Sequence, residues 1–156
     1  MNVVLRDSDA SDAEFLVELY RESRMDELTA MGLSHQQIVP FIAMQYNARR
    51  QAYAAKYPEA RDSIILMDGE KVGRLLAAEL DDEIRLIDIA VTAGFQGRGI
   101  GSIIVKRLLE SAANVQKPVR LQVALLNPAK RLYERLGFAT VDEEGGYFLM
   151  EFKAGA

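Results

Sequence analysis

Residues 96–101 read Gln96-Gly97-Arg98-Gly99-Ile100-Gly101, and this glycine-rich stretch decides how the rest of the chain is to be read. It follows an apolar run, Ile84–Val91, and opens a helical pattern over Gly97–Ala113, where Ile100, Ile104, Leu108 and Ala112 fall on one face. Glycine lets backbone N–H groups approach a ligand with no Cβ in the way. A helix start adds unpaired N–H donors and the positive end of the dipole, which together suit a phosphate. Arg98 offers a charge-assisted contact to the same anion. The dinucleotide fingerprint needs its third glycine one residue later, and the Walker turn needs a Gly-Lys-Ser/Thr ending that is missing here. A tight β-to-α turn without a ligand is the alternative that these residues alone leave open.

Working outward, the pattern alternates between sheet and helix. Val3–Arg6 reads as a short strand. Ser11-Asp12-Ala13-Glu14 reads as a capping box for a first helix with Phe15, Leu16, Leu19, Tyr20 and Leu28 on its apolar stripe. Ser34-x-x-Gln37 repeats the pattern for a second helix through Ile38, Phe41, Ile42, Gln45 and Ala48, ending before Pro58, or starting near Pro40. Ser63–Met67 and Val72–Leu80, joined by Asp68-Gly69, predict a hairpin. After a turn at Asp81-Asp82-Glu83, Ile84–Val91 returns as a strand. Val119–Leu126 predicts another strand, Pro128–Leu136 a short helix closed by Gly137, and Tyr147–Phe152 a last strand. The order β-α-α-β-β-β-α-β-α-β implies an α/β fold with a mixed sheet and helices on both faces. The 156 residues, with no repeat or linker, are expected to form a single domain over 1–156.

Composition narrows the function. Apolar residues make up 49% and charged residues 27%, typical of a globular domain with a real core. No window approaches a membrane span and no signal pattern opens the chain, so a cytoplasmic enzyme is expected. With no cysteine there is no thiolate nucleophile and no Cys-based metal site; no metal is expected, and the single histidine, His35, sits beside a predicted cap. The net charge of −4 argues against nucleic acid as the partner. Between Gln96 and Arg135, eight basic and two acidic residues leave +6, so the remainder carries −10. That division suggests an anionic ligand on one side and a cationic one on the other, or else chance clustering on solvated helix faces.

Downstream of the glycine turn the chain reads Asn127-Pro128-Ala129-Lys130-Arg131-Leu132-Tyr133-Glu134-Arg135-Leu136-Gly137-Phe138. Together the two stretches resemble the GCN5-related N-acetyltransferase (GNAT) superfamily, with its Q/R-x-x-G-x-G/A and N-x-x-A-x-x-x-Y-x-x-x-G-F patterns. Gln96, Gly99 and Gly101 match the first; Asn127, Ala129 (one position early), Tyr133, Gly137 and Phe138 match the second. The resemblance spans about half the chain, Val72 to Phe152. It implies a mostly antiparallel mixed sheet whose parallel fourth and fifth strands, Ile84–Val91 and Val119–Leu126, splay apart around the pantetheine arm of acetyl-CoA. It places that cosubstrate on the backbone of Ile89, Ala90 and Val91, its pyrophosphate on the turn Gln96, Gly97, Arg98, Gly99, Ile100 and Gly101, and Asn127 and Ala129 beside the arm. Asn127 also suits the N-cap of the next helix.

The resemblance implies chemistry as well. Attack of an amine on a thioester releases a thiolate, which benefits from a nearby acid. The family places a tyrosine there, and Tyr133 matches it. Some relatives carry a glutamate base on the fifth strand where this chain has Gln122. Asp88, between Ile87 and Ile89, is the candidate base, with Glu79 the other strand carboxylate; a carboxylate satisfied by a basic neighbour such as Arg85 is the alternative. The first two helices usually wall the acceptor pocket. Here they carry Glu22, Asp26 and Glu27, which suit a cationic amine, and Arg21 and Arg24, which suit a carboxylate, together with Tyr20, Met25, Gln45, Tyr46 and Tyr53. The expected activity is direct acetyl transfer to a primary amine of a small molecule, amino acid or peptide. An acyl-CoA-binding sensor is the alternative, and a homodimer is a common arrangement among relatives.

Overall fold

The computed structural model describes residues 2–154, arranged on one seven-stranded sheet of order β1-β2-β3-β4-β5-β7-β6. Strands are β1 (Val3–Asp7), β2 (Arg61–Met67), β3 (Glu70–Glu79), β4 (Ile84–Val91), β5 (Val119–Ala124), β6 (Ala139–Glu144) and β7 (Tyr147–Phe152). Helices are α1 (Ala13–Ala30), α2 (His35–Lys56), α3 (Ile100–Asn114) and α4 (Ala129–Arg135), with short 3-10 turns at Ala10–Asp12 and Ala93–Phe95.

Local signals explain most boundaries. Asp68 and Gly69 both take positive φ, +50° and +85°, the twist a two-residue hairpin needs between β2 and β3. Ser34 caps α2 by accepting from the Gln37 N–H, and the Gln37 side chain accepts in return from the Ser34 N–H. Helix α2 runs through Pro40 and does not begin there, since the cap one turn earlier has already fixed its start. The first capping box differs from the sequence reading. It is Asp9 and Asp12 that exchange side-chain and backbone bonds, ahead of α1, while Ser11 only donates to Asp9. Asp12 can take that place because Arg6 (2.8 Å) and Lys71 (2.7 Å) neutralise a carboxylate that is otherwise fully enclosed.

Two further boundaries depart from expectation. Strand β5 stops at Ala124, leaving Leu125 and Leu126 exposed in the following turn. A seventh strand, β6, pairs antiparallel with β7 at the sheet edge. Every residue of its Ala-Thr-Val-Asp-Glu-Glu sequence is exposed, so no apolar alternation marks it.

The sheet separates two apolar layers. Ile65, Leu75, Leu86, Leu121 and Met150 meet Ile100, Ile104, Val105 and Leu109 of α3, with Tyr133 and Phe138, on one face. Ile64 meets Leu16 of α1 and Tyr46 of α2 on the other, and Leu28, Ile38 and Ile42 join the two helices. Each such fully buried side chain stabilises the fold by roughly 1.5–3 kcal/mol.

What positions the site is a fault in this sheet. β4 and β5 are parallel but pair only at Ile84–Val119, Arg85–Arg120 and Leu86–Leu121. Immediately beyond, the β3–β4 register slips: Ala77 faces Leu86 while Leu76 faces Asp88, so Ile87 is an inserted residue. A bulge bends its strand and increases the twist. β4 therefore follows β3 while β5 stays paired with β7 as far as Ala124–Tyr147, and the two parallel strands diverge.

Candidate active site

The divergence opens a cleft of about 830 Å³ that crosses the sheet. Its floor is Arg85 to Ala90 of β4 and Leu121 to Ala124 of β5; α1 and α2 wall one side, and Asn127, Ala129, Tyr133 and Tyr147 close the other. Of the residues singled out by sequence, Asp88, Ile89, Ala90, Gln122, Asn127, Ala129, Tyr133, Tyr20, Arg24, Glu27 and Tyr53 line it. The stretch Val91 and Gln96–Gly101 does not line it, lying instead where β4 leaves the sheet and α3 begins.

That turn is shaped by two glycines with positive φ, Gly97 at +78° and Gly99 at +81°, a conformation other residues reach only with strain. Nothing lies within 4 Å of where a Cβ would stand on either, so the space over the turn is open. Gly99 is the N-cap of α3 and offers no side-chain cap, leaving first-turn N–H donors facing outward. Gln96 donates its Nε2 to the Val91 carbonyl (3.0 Å), tying the turn to the end of β4. The Arg98 guanidinium rests on the Phe95 ring at 4.8 Å. Glu22 of α1 accepts from the Ala93 N–H (3.0 Å), so its carboxylate is committed to this loop and not to the cleft. The residues thus fit an anionic, strand-like group such as acetyl-CoA: open donors at one end, an unpaired strand edge along the splay.

Helix α4 begins at Ala129, whose N–H bonds to the Asn127 side-chain oxygen at 2.9 Å, and ends at Arg135, with Gly137 turning the chain beyond it at φ +101°. This brings Tyr133 under the sheet, 7% exposed, with Phe138 edge-on at 5.6 Å. Burial, and then the charge of Asp88, push its hydroxyl up to about 12. It therefore keeps its proton at any neutral pH.

Asp88 is half-buried between two guanidinium groups, Arg74 Nη1 at 3.3 Å and Arg49 Nη2 at 3.7 Å. Its cationic neighbours are these two; Arg85 pairs with Glu83 instead. Glu79 ends β3 away from the cleft, paired with Lys117. Arg24 is held by Glu27, Tyr20 and the Gln45 amide, and Tyr46 lies buried beneath the wall. Arg21, Met25 and Asp26 do not line the cleft, and His35 is an exposed first residue of α2. The reading from sequence missed Arg49, Lys56 and Arg74. Arg74 carried a signal, a lone charge inside the apolar run Val72–Ala78; Arg49 carried none, because what distinguishes it is tertiary. Among the described residues there is no cluster of His, Cys, Asp or Glu that could hold a metal ion, and no helix is long and apolar enough to cross a membrane.

The sequence profile of the acetyltransferase (GNAT) family matches residues 16–138. The chain is 31% identical over 103 residues to the N-acetylaspartate synthetase of Rattus norvegicus, covering 64% of this chain and 34% of that protein. It is 27% identical over 85 residues to the [ribosomal protein bS18]-alanine N-acetyltransferase of Haemophilus influenzae, covering 54% and 58% respectively. This chain thus spans about a third of the length of the first relative. The fold is similar to that of the PaiA N-acetyltransferase of Thermoplasma acidophilum, whose crystal structure is in complex with coenzyme A: TM-score 0.75, 20% identity, 98% and 99% of the two chains covered. The chain belongs to the acetyltransferase (GNAT) family.

Proposed function

We propose that this family member binds acetyl-CoA in the β4–β5 splay and transfers the acetyl group directly to a primary amine. The observation that carries the reading is the end of β4–β5 pairing at Leu86–Leu121, with an open helix start at one end of the gap and a buried tyrosine at the other. The backbone of Ile89, Ala90 and Val91 supplies the strand edge for the pantetheine amides. Donors from Gly97 to Gly101, with Arg98, hold the pyrophosphate, and Gln96 fixes the turn that presents them. Asn127 and Ala129 bound the arm where the strands part. In support, one named relative is a synthetase of N-acetylaspartate and the other an N-acetyltransferase acting on an alanine.

In the transfer, the neutral amine's lone pair attacks the thioester carbonyl carbon, forming the C–N bond. The C–S bond then breaks, and the sulfur leaves with its electron pair. Tyr133 donates its proton to that sulfur, giving CoA thiol, and is reprotonated from solvent. Before the attack the ammonium gives one proton to Asp88, directly or through water, and from there to bulk. The second proton, carried by the nitrogen once the C–N bond has formed, leaves to water as the tetrahedral intermediate collapses to the amide. No covalent acetyl-enzyme forms, since the chain has no cysteine and its one histidine, His35, is exposed at the start of α2 and outside the cleft. The chain contributes positioning and a proton donor in a water-poor gap.

A thiol-release assay with acetyl-CoA and a panel of amines tests this. Wild type should show amine-dependent release, and Tyr133→Phe should lower kcat by about 10²-fold or more with acetyl-CoA affinity unchanged. Hydrolysis that no amine accelerates would replace transfer with acyl-CoA sensing; an unchanged kcat in Tyr133→Phe would remove Tyr133 from the reaction.

A further inference from the structure

The acceptor side of the cleft carries far more positive charge than its helices' composition suggests. Arg24, Arg49, Lys56, Arg74 and Arg85 line it against only Glu27 and Asp88. Most of these cations are already committed. Arg74 is spanned by Asp62 (3.1 Å) and Asp88 (3.3 Å). Arg24 is held by Glu27 (3.1 Å), and Arg85 Nε lies 3.0 Å from Glu83, although its N–H is not aligned on that oxygen. Arg49 is different. Among the described residues its only carboxylate neighbour is Asp88, at 3.7 Å, beyond hydrogen-bond length, and its Nε is buried with no acceptor there. The guanidinium sits against two aromatic rings, Tyr20 at 5.5 Å and Tyr53 at 5.1 Å, which fix its plane while leaving its donors unspent. Lys56, about two helical turns further along α2, has no carboxylate within 4.0 Å among the described residues and rests near the Tyr57 ring.

A planar cation whose two Nη groups make no hydrogen bond among the described residues is matched by a carboxylate, which accepts from both Nη groups end-on in bidentate fashion, while the enclosed Nε takes no part. Beside it, Asp88 offers the opposite charge within the same few ångströms. Adjacent positive and negative groups of this kind match a zwitterion, whose carboxylate and ammonium are separated by one carbon. We infer that the acceptor is a small α-amino acid, its carboxylate on Arg49 and its ammonium on Asp88. This inference rests on the acetyl-transfer reading above. Of the acidic residues that suggested a cationic amine, Glu22 and Asp26 stand outside the cleft, and Glu27, which lines it, is paired with Arg24.

The test compares amino acids with their α-carboxamides, equal in amine but differing in the carboxylate: alanine with alaninamide, glutamate with isoglutamine. With saturating acetyl-CoA, wild type should favour each amino acid over its amide by about tenfold or more in kcat/KM. Arg49→Gln should bring that ratio towards one, chiefly by raising KM for the amino acid. Arg49→Lys, which keeps the charge and loses the fork, should fall between. Wild type that prefers the amides or a diamine would overturn the inference, as would an Arg49→Gln variant that keeps the ratio. If no amine is acetylated although acetyl-CoA binds, the transfer reading fails; calorimetry of the CoA-loaded protein with alanine then judges the site alone. Binding of alanine that Arg49→Gln abolishes would support the carboxylate site, and absence of binding would overturn it.

Discussion

At Tyr133, burial and the neighbouring charge of Asp88 raise the hydroxyl to about 12, against an ordinary value of 10.0. The folded state thus resists losing this proton, and the stability involved is present below pH 10 and lost as the pH rises through 10 to 12. That difference corresponds to about 3 kcal/mol. Urea midpoints at pH 9 and pH 11.5 should therefore fall less in Tyr133→Phe than in wild type; equal falls would mean the hydroxyl is freely solvated. Asp88 is tested by the pH dependence of kcat/KM. If it accepts the ammonium proton, Asp88→Asn should lose the acidic limb of the profile, and a wild-type profile in the variant would dismiss it. Tyr133 and Asn127 were legible in the sequence because each belongs to a spaced motif. Arg49 was not: it is one of two consecutive arginines on a long helix, and only the rings of Tyr20 and Tyr53 set it apart.

At the scale of elements, the splay depends on how closely β3 and β4 approach. A Cβ on Gly73 would stand 2.3 Å from the Ala90 carbonyl, a backbone atom that cannot step aside. Gly73→Ala should cost about 1–3 kcal/mol in chemical denaturation and also weaken acetyl-CoA binding, since it displaces the strand edge itself. Loss of stability with full affinity would mean that edge does not hold the ligand. The Asp68-Gly69 hairpin, the Ser34 cap and the glycine-led start of α3 were readable because each rests on a local backbone requirement. β6 was not, because it is an exposed edge held only by its pairing with β7. The capping box at Ser11 misplaced the entry to α1 because Asp12 owes its position to Arg6 and Lys71, which come from other strands. Nor could the sequence show that an extra residue at Ile87 parts the sheet; bulges leave no periodicity of their own.

For the whole molecule, the helices α1 and α2 lie on one face of the sheet and the Tyr133 layer on the other, and the splay joins them. The proposed acceptor and acyl donor would thus enter from different sides and meet within the sheet, as the proposed direct transfer requires. The positive segment Gln96–Arg135 is only partly available to a ligand. Lys117 and Arg120 are committed to Glu79, Glu83 and Glu151, and Arg107 to the Val3 carbonyl. Of the others only Arg98 stands in the glycine turn, with Lys106 along α3 and Lys130, Arg131 and Arg135 on α4; at the turn itself the uncapped backbone N–H groups of the α3 start are the donors on which the proposed acetyl-CoA binding stands. It is tested most directly by calorimetric titration of the full chain with acetyl-CoA, repeated with Gly99→Glu after circular dichroism has shown the variant to be folded. Micromolar-range binding by wild type, abolished in the folded variant, is the expected result. Binding that survives a carboxylate in the turn, or no binding by wild type, would contradict the account.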